Sequence, residues 1–164
     1  MKALIAVALV ASLLPELAGP ASAQVAASAS PASRTFRVDD TGTFVLDPYL
    51  QMQWQPFGRG GATNIVSANT KVSVQLNLSP WLGQAGRIYM TLPRTSGPTV
   101  RASWTTGGVL LPGTVVSGDR SLVYQGPITA VSMRDVMAIK LEADGSRLGD
   151  AEALAFGFEI EIDQ

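Results

Sequence analysis

The sequence predicts an all-β fold, an antiparallel two-sheet sandwich, and three observations predict it. The C-terminal stretch alternates without a break, with Leu154, Phe156, Phe158, Ile160 and Ile162 set against Ala155, Gly157, Glu159, Glu161 and Asp163. That is the period of a strand with one face in a core and one in water. Further short alternating stretches recur along the chain between Gly, Pro, Asn and Asp turns. After the N-terminal segment no stretch carries the period of a long helix. About ten to twelve short strands in one chain of this size favour a sandwich over a barrel.

The first residues read as an export signal. Lys2 is the basic start, Ala3 to Leu14 an apolar run, and Ala21-Ser22-Ala23 a small-x-small cleavage site. Cleavage is expected between Ala23 and Gln24. The apolar run is shorter than the roughly 20 residues that span a bilayer, so no membrane span is expected. Residues 24–34 form an Ala/Ser-rich arm with few large apolar anchors, and the β-domain is expected over 35–164.

Phe36 and Val38 open a short alternating piece, turned by Asp40-Thr41-Gly42, and Thr43 to Leu46 gives another. Leu50, Met52 and Trp54 alternate with glutamines, a half-buried strand with Trp54 in the core. Pro56 to Gly61 is a loop. Asn64 to Ser67 is a short strand, and Val72, Val74, Leu76 and Leu78 line the clearest internal one. Pro80 to Ala85 allows a single helical turn. Arg87 to Leu92 is a strand, as is the stretch holding Val100, Ala102 and Trp104. Gly107-Gly108 signals a tight hairpin, from which Val109 to Leu111 pairs back. Thr114 to Val116 and Leu122 to Tyr124 flank a turn at Ser117 to Arg120. Val136 to Glu142 is a strand, and Ala143 to Ser146 a hairpin turn into the last one.

Composition narrows the chemistry. The chain has no cysteine and no histidine. Disulfides, Cys or Ser-His-Asp nucleophilic catalysis and ordinary zinc sites are therefore excluded. Charged residues make up 15% of the chain and the formal net charge is -1, with no basic stripe for nucleic acid. Glu159 and Glu161 are the only candidate acid/base pair. They sit two apart on one strand face, which reads as solvation and not as carboxyls facing across a cleft. Asp144-Gly145-Ser146 with Glu142 and Asp150 reads as a turn and not as a calcium loop. No metal and no cofactor are expected, and the chain reads as a non-enzyme. Trp81, in a turn after Pro80, is the candidate exposed aromatic contact. In the arm region, Phe36 and Val38 alone have the size and spacing of donated side chains, so the arm is either a strand donor or a spacer.

Thr70-Lys71-Val72-Ser73-Val74-Gln75-Leu76, then Ser79-Pro80-Trp81-Leu82, then Val100-Arg101-Ala102-Ser103-Trp104 with Gly107-Gly108 and Leu110-Leu111, resembles pilins of the alpha class of chaperone–usher fimbriae. The resemblance runs from about Asn69 to Pro112, roughly a quarter of the chain. It implies an incomplete immunoglobulin-like sandwich, a periplasmic chaperone, an usher and other pilus subunits as partners. It also implies a route through the periplasm to the cell surface and assembly by donor-strand exchange. The alternative is a secreted β-sandwich that binds carbohydrate, or adheres to a host surface, as a monomer.

Overall fold

The computed structural model describes residues 33–47, 50–55, 64–94, 96–147 and 155–162. Among the described residues ten strands run in chain order: β1 Arg34–Arg37, β2 Phe44–Val45, β3 Gln53–Trp54, β4 Ile65–Asn77, β5 Ala85–Thr91, β6 Val100–Thr106, β7 Gly113–Val116, β8 Arg120–Pro127, β9 Ser132–Asp144 and β10 Gly157–Ile162. The one described helical turn between β4 and β5 is a 3-10 turn at Ser79–Trp81, and a second such turn, Gly145–Arg147, follows β9. The strands form two antiparallel sheets. One has four strands in the order β1-β10-β5-β8. The other has six, in the order β2-β4-β9-β6-β7, with β3 beside β4.

The sandwich follows from period-two patterning on both sheets. Val72, Val74 and Leu76 of β4 and Met137, Ile139 and Leu141 of β9 are buried from one side. Ile88 and Met90 of β5 and Phe158, Ile160 and Ile162 of β10 are buried from the other. They join one continuous core. The expected inward face of the last strand is therefore present. Phe156 packs on it half-buried, and Leu154 lies outside the described residues, as does the expected loop at Pro56 to Gly61.

Several expected elements take a different form. Asn64 to Ser67 and the stretch after Lys71 are one thirteen-residue strand, because β9 pairs with it rung by rung from Ile65↔Asp144 to Asn77↔Ser132. Val109 to Leu111 does not pair back. Residues 107–112 form a loop, and β7 is the return strand. Asp135 decides this. It points inward near the start of β9, and its carboxylate accepts the Leu110 N–H at 2.9 Å and the Val136 N–H at 2.7 Å. The indole of Trp104 adds a bond to the Leu111 carbonyl, and the Thr106 hydroxyl one to the Leu110 carbonyl. These bonds take backbone groups that a hairpin ladder would have used.

Ala143 to Ser146 does not make a hairpin between neighbouring strands either. There the chain leaves the six-stranded sheet, and β10 joins the other one. Residues Ser117 to Asp119 likewise carry it from β7 in one sheet to β8 in the other. Gly118 has φ +96°, which a side chain would strain, and its N–H bonds the Leu92 carbonyl at 2.7 Å.

Trp104 is in the core, but Trp54, expected there, is 62% exposed. Its side of the sheet is the expected one, since it pairs with buried Val66. Its ring closes on Gly145 from β3, which pairs with β4 alone.

Candidate functional site

The expected donor pair lies on β1, at the edge of the four-stranded sheet. Arg34, Thr35, Phe36 and Arg37 pair with Ile162, Glu161, Ile160 and Glu159 of β10. The strand thus begins one residue inside the arm as the sequence divided it. Alternation puts Phe36 and Val38 on the core side. Val38 is a plug, 1% exposed, and its N–H donates to the Phe158 carbonyl at 2.9 Å. Phe36 sits at the rim, 42% exposed, with its ring tilted against Trp81 at 6.0 Å between centroids. In this structure the pair completes the sheet of its own chain.

Trp81 is half-buried against the core and not openly exposed. The 3-10 turn after Leu78 folds it inward: the Trp81 N–H bonds the Leu78 carbonyl at 3.0 Å. The more exposed ring of the three tryptophans is that of Trp54. The cleavage residues Ala23 and Gln24 lie outside the described residues.

The outer face of β10 departs from the expected solvated strand face. Glu161 is buried, not solvated. One of its carboxylate oxygens takes Arg120 Nη2 at 2.6 Å. The other accepts the Tyr89 hydroxyl at 3.0 Å and faces Arg87 Nε at 3.8 Å. Arg120 also reaches Glu159 at 3.8 Å and lies 4.3 Å above the Tyr89 ring. The bond from Arg120 holds the Glu161 carboxyl below its usual range, with Tyr89 adding to it against the cost of burial. Burial raises the Tyr89 phenol, and so does the adjacent Glu161.

A general acid needs a raised carboxyl, and Glu161 has the opposite. The cluster instead ties three neighbouring strands, β10, β5 and β8, of the sheet whose edge is β1. Sequence reasoning singles out neither Arg87, Tyr89 nor Arg120, because each is remote from Glu161 along the chain. A strand pairing of β10 with β5 that brings Arg87 opposite Glu161 is the signal that would find them.

The expected turn at Asp144 is present as a local one, its carboxylate accepting both the N–H and the hydroxyl of Ser146. Glu142 is engaged by Lys140 at 2.7 Å and by Gln55 at 3.0 Å, and Asp150 lies outside the described residues. Among the described residues no three acidic side chains converge as a metal site. Comparison of the chain with protein-family models, with curated proteins and with solved structures returned no match.

Proposed function

We propose that this protein is an exported structural or adhesive subunit, a fimbrial subunit that works by assembling and not by catalysis. The single observation that carries the reading is the state of β1. It is a terminal, four-residue strand whose residues are all exposed, yet it leads into a buried plug, Val38. Such a strand is held by one neighbour only, and its place is open to the same segment of another copy. Exchange would keep every β1–β10 hydrogen bond and the Val38 contact while linking two chains. The reading takes the sandwich as immunoglobulin-like, the segment to Ala23 as a cleaved signal, and a chaperone and an usher as partners on the way to the surface.

The absence of cysteine gives a clean test. Arg37 and Glu159 are Cα partners across β1 and β10. Facing strand residues lie within the Cα range that a disulfide spans. With Arg37→Cys and Glu159→Cys in one chain, expressed in the native host and oxidised, exchanged β1 strands give a covalent ladder on a non-reducing gel. A band at monomer mass alone, with both thiols consumed, refutes exchange. The carbohydrate-facing monomer then takes its place, and the in-chain pairing of β1 is the observation that favours it.

A further inference from the structure

The outer face of the six-stranded sheet carries a trough that the assembly reading does not use. Its volume is about 500 Å3, within the range of small-ligand sites. Strand register lays out its floor. Lys71, Ala138 and Thr105 form one rung across β4, β9 and β6, and Asn69, Lys140 and Ser103 form the next. Ala138 is the low point, because a methyl stands where its neighbours carry long side chains. Asp47 stands on the rim.

We infer that this trough binds a neutral saccharide. The first reason is charge. Lys140 is already held by Glu142 at 2.7 Å, which also faces Arg101 across the β9–β6 pairing, while Lys71 and Asp47, of opposite sign, line the trough together. With Lys140 engaged and Asp47 beside Lys71, the lining does not single out an anion. It does offer both donors and acceptors, through the amide of Asn69, the hydroxyls of Ser103 and Thr105, Lys71 and Asp47. That mixture suits a ligand whose every hydroxyl both gives and takes a hydrogen bond. The second reason is the apolar surface that continues the trough. Leu46 bonds through its N–H to the Lys71 carbonyl, and Phe44, Ser73 and Val136 form the adjoining rung. Phe44, Leu46 and Val136 are 56%, 46% and 48% exposed. A pyranose has an apolar C–H face and a polar rim, and the trough offers both in sequence.

The site does not depend on β1 exchange, so its test is separate from the cross-linking. Affinity electrophoresis is run through gels holding a β-glucan, a xylan or a galactomannan, with polygalacturonate as the acidic control. At least one neutral gel is expected to retard the protein. Ala138→Trp fills the low point from an exposed position and is expected to weaken retardation about tenfold or more. Asn69→Ala combined with Thr105→Ala, which leaves the volume open, is expected to weaken it as well. No retardation in any neutral gel, retardation by polygalacturonate alone, or retardation that both variants leave unchanged would overturn the inference.

Discussion

Phe158→Ala is the most direct test of the core as it is built. The side chain is 1% exposed and stands opposite Met90 on β5, itself 1% exposed. On its other side the Phe158 carbonyl accepts the Val38 N–H, so the residue sits between β5 and the candidate exchange strand. A buried aromatic side chain removes about 150–250 Å2 from water. At about 25 cal/mol per Å2 that is about 4–6 kcal/mol for the whole side chain, of which alanine keeps the Cβ share. The residual cavity adds to the loss, and the expected cost is about 3–5 kcal/mol. Urea unfolding reads it directly. With a slope of about 2 kcal/mol per molar, the midpoint falls by about 2 M. Phe156→Ala, from a half-buried site on the same strand, should move the midpoint by less than half as much. Equal shifts for the two variants, or an unmoved midpoint for Phe158→Ala, would refute the placement of β10 in the core.

Asp135→Ala removes the acceptor of the Leu110 and Val136 N–H groups and should cost about 2 kcal/mol, with proteolysis concentrating in residues 107–112. Thr70→Val should be neutral or stabilising by up to about 1 kcal/mol, since the Thr70 hydroxyl is buried with no hydrogen-bond partner, and a clear loss of thermal midpoint would contradict this. The lowered carboxyl of Glu161 contributes stability that is complete above its ordinary value of 4.5 and is lost as pH falls through the lower folded value. Glu161→Gln should therefore flatten the acid limb of a stability–pH curve, as read from urea midpoints between about pH 7 and pH 3.

Much of this fold was legible because alternation is a local signal. Val72, Val74 and Leu76 announce their buried face without reference to any partner, and so do Phe158, Ile160 and Ile162. Connectivity was less legible. Whether the chain turns back within a sheet or crosses to the other depends on which backbone groups are already taken. At residues 107–112 they are taken by Asp135, Trp104 and Thr106, which the chain brings in from both sides. Trp54 shows a second limit: period two gives the side of a sheet, but cover comes from the opposite sheet. Glu161 shows a third. A glutamate between apolar residues reads as solvated until strand pairing brings arginines and a tyrosine over it. The candidate site was legible as residues, Phe36 and Val38, but not as a state: the strand pairs within its own chain here, and the proposed exchange would give a neighbour the same bonds.

That equivalence bears on how assembly would proceed. Open sheet edges invite uncontrolled addition, and natural proteins blunt them. Here β2 and β3 have two residues each and β7 has four. The longer edge strand β8 ends on Gly126 and Pro127, and its pairing with β5 slips at Ile88/Tyr89. The remaining edge, β1, carries Arg34 and Arg37 at its two ends. Simple edge-to-edge stacking is thus poorly served at the edges of the described strands, and growth by adding a strand outside β1 is not the route they favour. Replacement of β1 is different, because it leaves the number of edges unchanged and restores Val38 to its socket. Its equilibrium should lie near balance, with a barrier set by lifting Val38 out of the core. Val38→Ala lowers that barrier. In the Arg37→Cys, Glu159→Cys background, mixing two size-tagged preparations before oxidation should then give mixed dimers sooner with Val38→Ala than without it. Mixed dimers that form at the same rate in both would show that lifting the plug is not the limiting step.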